Sequence, residues 1–125
     1  MNYIAKGLFK HGIDLGETLV IPDVGDEIIK RVKEYSAGFT YGFTTGGIGP
    51  THDDITGEMV AKAFNRSYVK NQEAHDILRE KYGDRNFTDS RGRMTVMPEG
   101  VELICNTATA APGFRLENVY VMAGI

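Results

Sequence analysis

Apolar positions recur at helical spacing over residues 1–12, where Ile4, Leu8 and Phe9 fall near one face and Gly12 supplies a stop. Residues 15–21 alternate and are rich in aliphatic side chains, which predicts a strand. Pro22 and Asp23 then open a second helix over residues 24–36, with Asp23 as its expected N-cap and Asp26 and Glu27 in the first turn. Its buried face is Ile28, Ile29, Val32 and Tyr35, and Gly38 ends it. The pattern predicts a second strand over 39–44 and a third helix over 55–64, with Met59, Val60, Ala63 and Phe64 inward. A fourth helix is expected over 71–82, closed by Gly83, followed by a polar loop over 83–93. Short strands over 94–97 and 101–104 flank Pro98-Glu99-Gly100, a loop over 110–115 surrounds Pro112-Gly113, and residues 119–123 read as a last strand.

Alternation of strand and helix through the first half argues for an α/β fold whose sheet is mostly parallel with helices on its faces. Ligands of such sheets sit beyond the carboxyl ends of the strands. The turn after Ile21, with Asp23 and Asp26, and the loop after Thr44 fall at that end, so two acidic loops are expected to face one crevice. The pattern opens on a helix and closes on a strand, which reads as a single domain over 1–125 without the opening strand and last helix of a doubly wound unit.

Composition narrows the class of partner. With 125 residues, 42% hydrophobic and 25% charged, the chain suits one soluble domain. The net charge is −3, and Lys and Arg are spread without a basic stripe, which argues against nucleic acid and against an anionic membrane surface. Cys105 is the only cysteine, so neither an internal disulfide nor a cysteine-based metal site can form within one chain. No apolar run reaches the ~20 residues of a membrane helix, and residues at the start lack the sections of a signal peptide, so a cytoplasmic setting is expected.

The densest chemistry is Thr44-Thr45-Gly46-Gly47-Ile48-Gly49-Pro50-Thr51-His52-Asp53-Asp54-Ile55-Thr56. It lacks the Gly-Lys-Ser/Thr of a Walker loop and the Gly-x-Gly-x-x-Gly of a dinucleotide fingerprint. Glycine amides and the hydroxyls of Thr44, Thr45 and Thr51, placed between a strand and a helix, suit phosphate oxygens. The plain alternative is a tight turn that needs glycine for its dihedrals. Asp53 and Asp54 either cap the following helix or hold a divalent cation such as Mg²⁺ or Mn²⁺ against the phosphate. Asp23 reads first as a cap and His52 equally as a solvated loop residue; His11 and His75 carry no partner motif. The run Asn106 through Gly113 is built of small residues against which a flat ligand can lie, and Arg91 and Arg93 read first as a solvated loop.

This glycine–aspartate run closely resembles the signature of the molybdopterin-binding domain family, and within it the branch found at the N-terminus of CinA-type, competence- and damage-inducible proteins. Val20-Ile21-Pro22-Asp23, Met97-Pro98-Glu99-Gly100, Asn106 through Gly113 and residues 119–125 resemble further family segments, so the likeness spans nearly the whole chain. It implies a three-layer α/β/α fold. It also implies that Thr45, Gly46, Gly47, Gly49, Pro50, Thr51, Asn106, Pro112 and Gly113 bind molybdopterin or a nucleotide. Asp23 and Asp54 fall where the family's nucleotidyl-transfer acids lie, with Asp54 and Asp53 as expected ligands of Mg²⁺, Mn²⁺ or Co²⁺. Asp53 stands where adenylylating relatives carry Arg. The His-Asp-Asp form instead matches a branch associated with metal-dependent hydrolysis of ADP-ribose-like pyrophosphates. The resemblance leaves open a non-catalytic molybdopterin carrier and a degenerate assembly domain, and implies a homo-oligomer.

Overall fold

In the computed structural model, which describes residues 2–104 and 112–124, two of the expected apolar stripes become α2 (Gly25–Gly38) and α3 (Thr56–Ala63). α1 (Asn2–Lys10) precedes them and ends as expected at Gly12, whose φ is +71°. α2 and α3 pack on each other and cover one face of a four-stranded sheet ordered β1 (Gly42–Thr45), β6 (Val119–Met122), β5 (Gly113–Leu116), β4 (Glu102–Ile104). Strand alternation turns Val119, Val121, Phe114 and Leu116 inward, where they meet Ile28, Val32, Met59, Val60 and Ala63. Phe43, Tyr120 and Arg115 lie on the other face, with the Phe43 and Tyr120 rings stacked at 5.1 Å between centroids.

The α/β class holds, but the sheet is mixed rather than mostly parallel. β1 pairs with β6 in parallel, Gly42 opposite Val119; β6 with β5 and β5 with β4 are antiparallel. Helices recur only as far as residue 93, and strands then follow one another directly. From there β5 and β6 are joined only by the turn Glu117-Asn118, with Glu117 at φ +54°, and so short a connection permits only antiparallel pairing. β5 occupies part of the stretch expected to be a loop: Phe114 and Leu116 alternate with Arg115 behind the turn-like Pro112-Gly113.

β1 begins at Gly42, three residues later than the pattern suggested. The Asn118 amide donates to the carbonyls of Ser36, Phe39 and Thr40, and its Oδ1 accepts from Ser36 Oγ at 2.7 Å. Those carbonyls are thereby tied to a side chain, and the ladder starts where Gly42 N–H donates to Asn118 O.

The strand expected over 15–21 does not form. β1 is the edge of its sheet among the described strands, residues 15–21 do not pair with that edge, and Val20 is 91% exposed. Aliphatic alternation expresses strand preference only where a partner strand supplies hydrogen bonds and a packed face.

A second, two-stranded sheet of β2 (Tyr68–Lys70) and β3 (Val96–Pro98) lies against α3. β2 escapes the pattern because all three of its side chains are exposed. The stretch expected to be a loop over 83–93 is largely helical. Gly83, at φ +73° and ψ 168°, interrupts α4 (Gln72–Asn86) where the pattern placed a stop, a further helical stretch follows it to Asn86, and Thr88 Oγ1 caps a new turn, α5 (Asp89–Arg93).

Two outcomes follow. Phe114→Ala, at the centre of the core, should cost about 3–5 kcal/mol in denaturant unfolding; a loss below about 1 kcal/mol would place the core elsewhere. Gly42 and Gly46 donate toward β6, so the Phe43 and Thr45 amides face the free edge and should exchange with deuterium much faster than that of Thr44. Equal protection of the three amides would contradict an open edge.

Candidate functional site

The turn from β1 into α3 is where the sequence concentrates its chemistry. Gly46 N–H extends the β1–β6 ladder to Met122 O at 3.0 Å. The chain then turns away through φ +89° at Gly46 and +74° at Gly47, values that only glycine adopts without cost. Gly47 C=O accepts from Thr56 N–H at 3.0 Å, satisfying one free donor of the α3 N-terminus. A Cβ on Gly47 would fall 2.0 Å from Thr56 Oγ1, and one on Gly49 would fall 2.8 Å from Asp54 Oδ2. All three glycines thus have a conformational or packing reason. Among the described residues the Gly47 and Ile48 amides have no acceptor.

Neither acid of the pair caps α3. Its N-cap is Ile55, without a side-chain bond, as Val24 is for α2, so Asp23 does not cap either. Asp54 folds back on the loop: Oδ2 accepts from Thr51 N–H at 2.9 Å and Thr51 Oγ1 at 2.8 Å, while Asp54 N–H donates to Thr51 O at 3.1 Å. Partial burial alone would raise its pKa, but the Thr51 donors, with the Gly49 amide facing the same carboxylate more loosely, outweigh it and hold the pKa below the ordinary Asp value. Asp53 and His52 are exposed.

The loop is a ridge between two cavities. The larger, about 470 Å³, is lined by Asp23, Arg31, Tyr35, Thr44, Thr45, Gly46 and Gly47 over an aliphatic floor that includes Ile21, Ile28 and Val32. The smaller, about 200 Å³, holds Gly49, Thr51, His52, Asp54, Glu58, Tyr68, Arg93 and Pro112. The expected crevice shared by Asp23 and Asp54 is therefore divided: the acids line different cavities, because Asp54 is drawn toward Thr51 on the far side of the ridge. Among the described residues no three His, Cys, Asp or Glu side chains converge on a metal-sized site. At the expected Asp54–Asp53 metal pair, Asp54 Oδ2 is engaged by Thr51, Asp53 is exposed, and no third His, Cys, Asp or Glu joins them among the described residues.

Pro50 is half-buried in the loop and lines neither cavity. Gly113 is required by β5, where a Cβ would fall 2.4 Å from Val121 O. Asn106 lies outside the described residues. Two features are not evident from composition or spacing: the buried hydroxyls of Thr44 and Tyr35 have no partner among the described residues, and both residues border the larger cavity. Burial pushes the Tyr35 phenol up, and Glu17 adds to it. Arg31 is held by Glu27 and Glu34, both at 3.1 Å, a pairing readable from i, i+3 and i+4 spacing. Arg91 stacks on Tyr82, whereas Arg93 reaches the smaller cavity and has no carboxylate partner among the described residues.

A family model described as "Probable molybdopterin binding domain" matches residues 1–125. The chain is 37% identical over 123 residues to a protein of Archaeoglobus fulgidus, covering 98% of this chain and 52% of that one. It is 36% identical over 115 residues to a CinA-like protein of Geobacter metallireducens, covering 90% of this chain and 28% of the relative. A putative competence-damage inducible protein of Clostridium botulinum is 31% identical, with 93% and 29% covered. The chain spans about half the length of the archaeal relatives it matches. The solved structure of CinA from Thermoplasma acidophilum, a protein of unknown function, superposes with a TM-score of 0.89 at 27% identity, covering 99% of this chain and 76% of that one. Among the described residues no helix is long and apolar enough to cross a membrane.

The depressed Asp54 pKa has a signed consequence. Stability from this carboxylate is present above the ordinary Asp range and is lost as pH falls through the depressed midpoint. In a carboxyl-carbon NMR titration, Asp54 should titrate below the ordinary Asp value, and Thr51→Val should move its midpoint upward. An unchanged midpoint in that variant would remove Thr51 as the cause.

Proposed function

Because the chain belongs to the molybdopterin-binding domain family, in its CinA-like branch, we propose that the domain binds a pterin or nucleotide by its phosphate on the loop carrying Thr45, Gly46, Gly47, Gly49 and Thr51. The observation that carries this reading is the pair of Gly47 and Ile48 amides, which have no acceptor among the described residues in a turn whose flanking groups are engaged. Successive backbone amides in a turn with left-handed residues favour anions through their partial positive charge. Arg93 adds a cation on one side of the ridge. On the other, the cavity of about 470 Å³ has the size and the apolar floor of a site for a flat ring system.

Metal-dependent hydrolysis of an ADP-ribose-like pyrophosphate is supported less well. That chemistry calls for acids converging on one cation, and here Asp23 and Asp54 line separate cavities. The binding reading therefore takes precedence: in this chain the loop holds a phosphate-bearing pterin or nucleotide, and the bond-breaking role is not assigned to it.

Calorimetric titration with AMP, ADP-ribose and adenosine, with and without Mg²⁺, Mn²⁺ or Co²⁺, tests the reading. AMP and ADP-ribose should bind with Kd below about 1 mM, near −4 kcal/mol or better. Adenosine, which lacks phosphate, should bind at least about tenfold more weakly, and Arg93→Met should weaken AMP about threefold or more. Equal binding of adenosine and AMP, or no AMP binding, would overturn it. Release of AMP from ADP-ribose with any of these metals would instead restore the hydrolase reading.

A further inference from the structure

Asp54 is the residue that sequence resemblance assigns to metal and catalysis, and its surroundings point to other work. Its Oδ2 collects two donors from one residue, Thr51 N–H and Thr51 Oγ1, at 2.9 and 2.8 Å. Thr51 O accepts from Asp54 N–H in return at 3.1 Å, so the four-residue turn is closed in both directions. Because the acceptor is an ionised carboxylate, both bonds are charge-assisted, and such bonds are roughly twice as strong as neutral ones. Gly49 fits the same arrangement, because any Cβ there would meet Oδ2 at 2.8 Å and push the carboxylate off Thr51. At its other end the loop is held by Thr56 N–H on Gly47 O and by Gly46 N–H on Met122 O. Gly47 and Ile48 thus sit between two fixed points.

We propose that Asp54 is a positioning residue: it clamps the segment from Gly49 to Thr51 so that the Gly47 and Ile48 amides are held ready for a phosphate, and it does so without a metal ion. The proposal rests on the phosphate-binding reading for its functional half, but the clamp itself is readable without ligand. With Oδ2 engaged by two loop donors, that oxygen has less capacity for a cation, and the charge of the carboxylate is partly offset where a phosphate would approach. Asparagine keeps one acceptor oxygen of the same reach as Oδ2, whereas alanine keeps none, so the two substitutions separate clamping from charge.

The experiment uses the full chain as wild type, Asp54→Asn, Asp54→Ala and Gly49→Ala. Amide hydrogen exchange without ligand reports the clamp. Thr51 N–H should be protected in wild type and Asp54→Asn, and exchange at least about tenfold faster in Asp54→Ala and Gly49→Ala. AMP titration in EDTA and in Mg²⁺ reports its consequence: Asp54→Asn should bind within about threefold of wild type, Asp54→Ala at least about tenfold more weakly, and Mg²⁺ should change neither. Should no variant bind AMP, wild type included, the phosphate reading fails while the exchange data still decide the clamp. Equal Thr51 exchange in wild type and Asp54→Ala overturns the clamp. So does Mg²⁺-dependent AMP binding in wild type that is lost in Asp54→Asn, since that is the behaviour of a metal ligand.

Discussion

The constraint on which this structure turns is the reversal of backbone between β1 and α3. Gly46 must stay in the sheet through Met122 O, and Thr56, ten residues on, must begin a helix with its N–H on Gly47 O. Both ends are set by the core: β1 by its parallel pairing with β6, α3 by Met59, Val60 and Ala63 against the same sheet. The intervening residues bridge two elements whose places are already determined. Left-handed dihedrals at Gly46 and Gly47 and the Thr51–Asp54 bonds are how that bridge is made. Among the described residues that bridge leaves the Gly47 and Ile48 amides without an acceptor, and these are the groups proposed to meet a phosphate.

The core-forming elements were legible in the amino-acid pattern where burial was one-sided. α2 and α3 carry stripes whose period identifies both their helical state and their buried residues, and Val119 and Val121 alternate as a strand should. The glycine–aspartate run was specific enough to indicate the family that the comparisons then showed. Illegible parts share a physical cause: they depend on partners distant in the chain. Residues 15–21 have strand composition but pair with no strand, and β2 has a neighbour but no buried side chain to reveal it. The start of β1 is decided by Asn118, 76 residues beyond Gly42. Gly83 interrupts its helix as the pattern suggested, but the helical stretch beyond it was not evident.

The candidate site follows the same division. Spacing located the loop at the carboxyl end of a strand, and the structure places it there. Spacing did not reveal that Asp54 turns toward Thr51, because the direction of a side chain within a turn is set by which donors the folded loop presents. That single orientation separates Asp54 from Asp23 and gives each its own cavity. It shifts the weight of the functional reading from two-acid metal chemistry toward recognition of phosphate by backbone amides.

The central claim is local enough to be seen at single amides. An amide NMR titration of the uniformly ¹⁵N-labelled chain with AMP resolves Gly46, Gly47, Ile48 and Gly49 separately. The account requires the largest shifts at Gly47 and Ile48, with Gly46, already bonded to Met122 O, moving least of the four. Saturable shifts centred on another part of the surface, with Gly47 and Ile48 unmoved, would contradict it.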